Sequence, residues 1–332
     1  MSELRLNLVT REWVIIATER AKRPMDFSNS VMKPPLPEHL PSCPFCPGNE
    51  HKTPKEKSRL PLPDEGGWRI RVVENKYPAL SGGEVKRSVE GIRRKVTGAG
   101  IHEVIIESRL HNVSTALMEL AHLQEVIRTY RSRFVAAHSD PMVEHVIIFK
   151  NHGEGAGTSL EHTHSQLIAT PVVPIQFRDR VAAAQQFFDN TGDCMICSIL
   201  RQERDEGARV IIDTEHFLTF IPYAALSPFH TWIFPKRHSA AFSTVSEEEV
   251  KDLSYHLKTL LSKCYYGLEN PDYNYVIKSS RPQDMENDYC HWYLSVVPRI
   301  TKAAGFELGS GMFINTSIPE KSAEFMRNAP TG

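Results

Sequence analysis

The segment from Gly155 to Gln166 concentrates groups that can do chemistry, because a turn of small residues runs directly into two histidines and an amide. His162, His164 and Gln166 stand at every second position. If this segment is extended, side chains two residues apart share one face of the strand, so the two imidazoles and the amide point the same way. We therefore treat this segment as the candidate reaction centre.

Two Cys-x-x-Cys pairs, each followed by two widely spaced histidines, indicate metal binding. The first set is Cys43, Cys46, His111 and His162, and the second is Cys194, Cys197, His238 and His291. Two thiolates with two imidazoles suit tetrahedral zinc, so the pattern predicts two zinc ions per chain. Two alternatives stay open: a single site made of all four paired cysteines, and a thioredoxin-like redox pair, although the Pro-rich surroundings of Cys43 are not typical of the latter.

His164 is the histidine that such a metal does not need. Where His291 matches His162, the second half of the chain has Tyr293 in the place of His164. A free imidazole beside a fixed ligand can act as a base, or as a nucleophile toward phosphorus or carbonyl carbon. Gln166 could donate to a phosphoryl oxygen, and the backbone amides of residues 157–159 could hold the other oxygens.

The elements that would position these groups recur in one order. Periodicity and turn signals predict a hairpin over 4–18, strands at 68–74, 101–107, 143–149 and 273–278, and helices at 114–137, at 178–189 and after the capping box Ser246-x-x-Glu249. Ser114 or Thr115 is the expected N-cap of the first helix, and 28–63 is expected to be an irregular, Pro-rich connection. The repeated order predicts an α+β fold of two tandem domains, 1–175 and 176–332, each with helices packed on an antiparallel sheet.

Composition narrows the class of protein. The 332 residues include 39 basic and 40 acidic side chains, so no overall field attracts nucleic acid or an anionic membrane surface, and neither is expected as a partner. The sequence has no apolar run of membrane-spanning length and no secretory h-region at its beginning. The expected location is the cytoplasm, where paired cysteines serve metals more often than disulfides.

Motifs distributed over nearly the whole chain point further. They are Arg20–Pro24, Cys43–Cys46, Glu74–Leu80, Phe149–Asn151, His162–Gln166, Pro171–Pro174, His291–Trp292 and Gly305–Gly309. Together they resemble the galactose-1-phosphate uridylyltransferase family of the histidine-triad superfamily, and most of all its ADP-glucose phosphorylase-like branch. The resemblance implies two tandem histidine-triad-like domains and a ping-pong reaction in which a histidine carries the nucleotide.

Carried onto this chain, the resemblance makes His164 the nucleophile and Gln166 its phosphoryl partner, with the two zinc sites on the residues named above. Its partners would be a small nucleotide sugar together with phosphate or a sugar phosphate, and a homodimer is the assembly the family suggests. The implied substrate contacts are Arg20, Lys22, Arg23, Asn75, Asn151, Gly157, Thr158, Ser159, Lys302, Gly305 and Glu307.

The chain departs from the better-known uridylyltransferases in two places. Thr163 and Ser165 stand where those enzymes have proline and glycine, and the residues after Glu307 lack a glutamine that contacts the hexose. A phosphorylase-like nucleotidyltransferase is therefore the expected activity, with galactose-1-phosphate uridylyltransferase as the alternative. A nucleotide hydrolase and a zinc-stabilised binding module are the remaining hypotheses.

Overall fold

A computed structural model describes residues 1–18, 35–62 and 66–332. The predicted substrate contacts Arg20, Lys22 and Arg23 lie outside the described residues. The strands are β1 Glu3–Leu6, β2 Trp13–Ile16, β3 Glu56–Pro61, β4 Trp68–Glu74, β5 Arg87–Glu90, β6 Arg93–Val96, β7 Ile101–Ile106, β8 His145–His152, β9 His164–Thr170, β10 Val210–Asp213, β11 Phe217–Phe220, β12 Thr231–Pro235, β13 Tyr273–Lys278, β14 Tyr293–Pro298 and β15 Phe313–Asn315. The helices are α1 Leu120–His138, α2 Ile175–Thr191, α3 Met195–Glu206, α4 Glu247–Gly267, α5 Gly305–Ser310 and α6 Pro319–Asn328.

Ten strands form one antiparallel sheet whose halves have the same topology. The spatial order is β10-β11-β12-β14-β13-β8-β9-β7-β4-β3. Counted along the chain, the five sheet strands of the first half are β3, β4, β7, β8 and β9, and those of the second half are β10 to β14. In both halves the fourth of these strands lies at the centre of the sheet, followed outward by the fifth, third, second and first. β8 and β13 join the halves, with Tyr275 opposite Lys150. The predicted α+β class and the repeat are thereby confirmed, while the boundary at residue 175 stays a proposal because one sheet crosses both halves.

Local sequence explains where several elements begin and end. Ser246 accepts from the amide of Glu249, whose carboxylate accepts from the amide of Ser246, so the predicted capping box starts α4. Gly192, with φ 72°, ends α2 in the left-handed conformation that favours glycine. The predicted hairpin near the beginning of the chain forms between β1 and β2.

Two predicted elements differ from the structure. α1 begins at Leu120 and not at residue 114, because 114–118 form a turn in which the amides of Leu117 and Met118 both donate to Ser114. This turn packs Met118 into the core before the helix starts. The Pro-rich connection contains β3, which pairs with β4 and whose exposed alternate residues hid it from a search for apolar runs.

The sheet has two differently covered faces. Helices α1 and α4 lie on one face, where Leu167 and Ala169 of β9 and Leu294 of β14 enter the largest core cluster. Strand residues alternate between faces, so His164, Gln166 and Tyr293 lie on the other face. Among the described residues, none of the helices combines the length and apolar character that crossing a bilayer requires.

A buried polar network fastens β9 to its neighbours from the core side. The Glu107 carboxylate and the Lys150 ammonium are 0% and 1% exposed and form an ion pair. Lys150 also donates to the Thr163 hydroxyl at 2.8 Å and to the His164 carbonyl at 3.1 Å. Tyr130 of α1, Ser165 of β9 and the Thr163 hydroxyl all donate to Glu107. The residues on either side of His164 are thus held by one buried carboxylate.

We expect Lys150→Met to lower the free energy of unfolding by about 3–5 kcal/mol, because it leaves the buried Glu107 carboxylate without its counter-charge. Urea denaturation measures the change. The matched control Lys251→Met removes an exposed ammonium from α4 and should change the free energy by less than about 0.5 kcal/mol. A loss below about 1 kcal/mol in Lys150→Met would show that the pair does not hold the strand.

Candidate active site and metal centres

His164 opens β9 in a defined tautomer. Its Nδ1 lies 2.8 Å from the His162 carbonyl oxygen, so Nδ1 carries the hydrogen and donates it. The lone pair is then on Nε2. Burial lowers the pKa of His164 despite that hydrogen bond, and the side chain is 8% exposed, so the neutral form is favoured. A neutral imidazole with a free Nε2 is a competent nucleophile.

Gln166 is oriented by a histidine on the neighbouring strand. The Nδ1 of His102 accepts from the amide of Ala79 at 3.0 Å, so its Nε2 carries the hydrogen. That Nε2 donates to the Gln166 carbonyl oxygen at 2.8 Å, and Asn75 donates to the same oxygen at 3.4 Å. With its oxygen engaged twice, Gln166 is oriented as a donor through its amide nitrogen.

The small-residue loop before β9 is held by the second half of the chain. The amide of Gly155 donates to the Asp272 carboxylate at 2.6 Å, and Gly153, with φ 83°, leaves no room for a Cβ beside that carboxylate. Asn274 donates both to the side-chain oxygen of Asn151 at 2.8 Å and to the backbone carbonyl of Ala156 at 2.9 Å. The loop is therefore positioned by contacts from β13 and the residue before it.

Two of the three loop amides expected to hold phosphate oxygens are already in use. The amide of Gly157 donates to the Glu154 carbonyl, and that of Thr158 to the Gly153 carbonyl. For Ser159 no acceptor is recorded among the described residues. In this conformation the expected cradle of three amides is therefore reduced to one, and the side-chain amide nitrogen of Asn151 lies beside Gly157.

The first predicted metal cluster is assembled at the entrance to β9. Cys43, Cys46, His111 and His162 are all buried, and their ligand atoms lie within 4.8 Å of one another. The recorded sulfur–nitrogen separations are 3.5–3.7 Å. The remaining nitrogen of His162 donates to the Ser108 carbonyl at 2.8 Å, which directs Nδ1 toward the sulfurs.

These residues fit a tetrahedral zinc ion. Zinc–sulfur bonds near 2.3 Å and zinc–nitrogen bonds near 2.0–2.1 Å at tetrahedral angles give a sulfur–nitrogen edge of roughly 3.5–3.6 Å. Burial raises the pKa of the Cys43 thiol and lowers that of His162 to about 4. A buried thiolate needs a compensating positive charge, and a dication supplies it. The amides of Phe45 and Leu40 also point at the two sulfurs.

The second cluster repeats this arrangement. Cys194, Cys197, His238 and His291 bring their ligand atoms within the same 4.8 Å. The second nitrogens of His238 and His291 each donate to a backbone carbonyl at 3.0 Å, those of Asn287 and Pro235. The structure therefore has two Cys₂His₂ groups that can hold metal, and it excludes the single site built from four cysteines.

The last three predicted substrate contacts, Lys302, Gly305 and Glu307, lie together near the end of the chain. Lys302 and Glu307 line a cavity of about 240 Å³ bounded by β14, β15 and residues 226–230, and Gly305 starts α5 beside it. Glu307 caps α5 by accepting from the Ala304 amide at 2.9 Å. Among the described residues, no contact is recorded between this segment and His164 or Gln166.

Three residues of the site were missed by sequence reasoning. His102 orients Gln166, and the pair Glu107 and Lys150 anchors β9 from below. The signal for His102 was its place on a predicted strand, where it shares one face with the apolar residues Val104 and Ile106. Nothing local marks Glu107 and Lys150 as partners, since only the sheet register brings them together.

Comparison with known sequence families gives two matches that together span most of the chain. The description "Galactose-1-phosphate uridyl transferase, N-terminal domain" matches residues 1–174. The description "Galactose-1-phosphate uridyl transferase, C-terminal domain" matches residues 180–308.

Individual relatives agree. The ADP-glucose phosphorylase of Arabidopsis thaliana is 37% identical over 330 residues, covering 98% of this chain and 92% of that protein. The galactose-1-phosphate uridylyltransferase of Thermotoga maritima is 29% identical over 340 residues, covering 98% of each. A crystal structure of the Arabidopsis phosphorylase with bound ADP-glucose has a TM-score of 0.82 at 32% identity, covering 99% of both chains. The chain belongs to the galactose-1-phosphate uridyl transferase family.

Proposed function

We propose that this protein is a nucleotidyltransferase that moves a nucleoside monophosphate from a nucleoside-diphosphate sugar to phosphate or a hexose 1-phosphate through nucleotidyl-His164. The observation that carries the proposal is the tautomer of His164. The candidate metal cluster includes His162, whereas the neighbouring His164 keeps its Nε2 lone pair, and burial lowers its pKa and so favours the neutral form. The identity of the relatives supports the ADP-glucose phosphorylase-like activity as first choice.

In the proposed reaction, Nε2 of His164 attacks the α-phosphorus in line and the sugar 1-phosphate leaves with the electrons of the broken phosphorus–oxygen bond. The acceptor phosphate then attacks the phosphorus of nucleotidyl-His164 and returns the electron pair to Nε2. Gln166, with its carbonyl fixed by His102, donates its amide hydrogen to a nonbridging oxygen as charge develops. Such fixed donors supply much of the catalysis in transfers of this kind.

We assign zinc to both Cys₂His₂ groups. Four protein ligands fill a tetrahedral coordination shell, so zinc would supply a fixed structural node and not an open position for water or substrate. The first group ties the Cys43–Cys46 loop to His162 and so sets the start of β9. Thiolate ligands need a compartment that keeps cysteine reduced, which supports the cytoplasm as the location.

The separate position of Lys302, Gly305 and Glu307 supports a homodimer. No contact is recorded between them and His164 within the described part of one chain. If they contact the sugar from beyond its reach within that chain, a second copy has to present them. The proposed active site would then combine the nucleophile of one protomer with the sugar contacts of its partner.

For an enzyme whose acceptor is phosphate, isotope exchange distinguishes a covalent intermediate from direct displacement. With ADP-glucose and radiolabelled glucose 1-phosphate, and no other acceptor, label should enter ADP-glucose, because nucleotidyl-His164 forms and reverses. His164→Asn should lower the exchange rate on the order of 10⁴-fold or more. The matched control His51→Asn, which alters an exposed histidine, should retain it.

Full turnover with phosphate but no exchange would contradict the covalent mechanism. Rapid release of nucleoside monophosphate without acceptor would instead favour the hydrolase. Repeating the assay with UDP-glucose, and with phosphate or galactose 1-phosphate as acceptor, decides between the phosphorylase-like activity and the uridylyltransferase. The similarity to the Thermotoga maritima enzyme supports the latter as the alternative.

Metal analysis of purified protein tests the zinc assignment. We expect about two zinc ions per chain, one for each Cys₂His₂ group. Cys43→Ser and Cys197→Ser should each remove one equivalent, since each takes one thiolate from a different group. Mass spectrometry of metals measures both. A wild-type value of one zinc or fewer per chain would refute the assignment of the second group.

A further inference from the structure

The second half of the sheet preserves the framework of the reaction centre with other side chains. Tyr293 begins β14 two residues after the ligand His291, as His164 begins β9 two residues after His162. Lys278 lies opposite Tyr293 in the register of β13 and β14. Continuing the register of β8 and β9 by two residues places Asn151 opposite His164 in the same way. Lys278 therefore occupies the second-half position of Asn151.

Each half also has a histidine that contacts a polar side chain of its fifth sheet strand, Gln166 in β9 and Ser295 in β14. His102 on β7 lies 2.8 Å from the Gln166 side-chain oxygen, and His230, just before β12, lies 2.8 Å from the Ser295 hydroxyl. Ser295 stands two residues after Tyr293, as Gln166 stands two residues after His164. The second half thus has the geometry of the first, without the nucleophile.

A cavity opens at this second-half position. It has a volume of about 50 Å³ and is bounded by α2, the start of α3 and the ends of β13 and β14. Apolar groups such as Val181 and Met195 form most of its wall, and its polar side chains include Arg180, Lys278 and Tyr293. A mostly apolar wall with a few converging polar groups is typical of a small-molecule site. The volume corresponds to roughly three or four water molecules, which suits a tetrahedral oxyanion but is too small for a nucleotide.

Positive charge is concentrated at this cavity. Within the described residues Lys278 has no recorded ion pair, and the recorded contact of Arg180 is with the Tyr293 hydroxyl at 3.3 Å. Burial, and then the charge of Arg180, lower the pKa of Lys278 to about 8. The same two cations contribute, after burial, to lowering the pKa of His230 to about 3. Burial raises the pKa of Tyr293, and the negative charge of Glu12 adds to that effect. Among the described residues, Glu12 nevertheless forms no recorded ion pair with either cation.

We propose that the cavity between α2 and the ends of β13 and β14 is an anion site, in which Lys278 and Arg180 bind a tetrahedral oxyanion of the size of inorganic phosphate. The Tyr293 hydroxyl would donate a further hydrogen bond. Bound phosphate would link α2 to the sheet and neutralise two neighbouring cations. Without a nucleophile in the place of His164, this site binds and does not react.

Crystals soaked in tungstate, a heavy tetrahedral oxyanion, locate the site directly. We expect an anomalous peak within hydrogen-bond distance of the Lys278 ammonium and the Arg180 guanidinium. Lys278→Met should abolish that peak, while Lys251→Met should leave it. Peaks confined to other places, or a peak that persists in Lys278→Met, would overturn the proposal.

A second experiment, in solution, compares the stability of each variant in phosphate with its stability in chloride at equal ionic strength, because an anion that binds the folded protein stabilises it. Lys278→Met and Arg180→Gln should each weaken the cavity's phosphate affinity at least tenfold, so less stabilisation remains than in Lys251→Met. Any phosphate bound near His164 contributes equally to all variants, so failure here leaves the proposed function untouched. Replacing phosphate by glucose 1-phosphate should give no stabilisation that depends on Lys278, because the sugar does not fit. Equal phosphate stabilisation in all variants, or Lys278-dependent stabilisation by the ester, would contradict the assignment.

Discussion

The buried carboxylate of Glu107 is the contact on which the reaction centre most depends. It gathers Lys150 from β8, Tyr130 from α1, the hydroxyl of Thr163 just before β9 and the hydroxyl of Ser165 within β9. Because side chains alternate along a strand, every hydroxyl held on the core side fixes a neighbour on the opposite side. His164 thus takes its position from residues that are buried on the core side of the sheet. An isolated charge at this depth would be strongly unfavourable, so the ion pair and its hydrogen bonds have to form together.

This network gives a structural role to the two residues that depart from the uridylyltransferase pattern. Thr163 and Ser165 replace proline and glycine, and their sequence position beside the proposed nucleophile suggests a role in choosing the sugar. In the structure both side chains face away from His164 and bind Glu107. They belong to the support of the strand, and the choice of sugar has to arise elsewhere, with the segment around Glu307 as the remaining candidate.

The two halves share the residues that support the site and differ in the residue proposed to react. Both halves keep two cysteines and two histidines in one geometry, and both keep a histidine that orients the residue on the fifth strand. The halves diverge where a reacting atom would sit, with His164 in one and Tyr293 in the other. The second cluster therefore lies in the half that has Tyr293 in the place of the proposed nucleophile.

Much of this was readable from the sequence because it rests on local patterns. Alternating His162, His164 and Gln166, the cysteine pairs and the capping box of α4 each have a short-range physical cause. The pairing of Glu107 with Lys150, and of His102 with Gln166, depends on strand register, which one sequence does not reveal. Tertiary packing also explains the late start of α1, since burial of Met118 in a turn overrode the helical periodicity that began at residue 114. Contacts set by tertiary packing were therefore the ones that prediction missed.

The central claim is that His164, and no other side chain, carries the nucleotide. Rapid quenching of the protein with ADP-glucose radiolabelled in the α-phosphate, followed by peptide mapping at neutral pH, tests it directly. The account predicts an acid-labile label on the peptide that contains His164, lost when glucose 1-phosphate or phosphate is added before quenching and absent from His164→Asn. A label on another residue, or unimpaired turnover by His164→Asn, would contradict it.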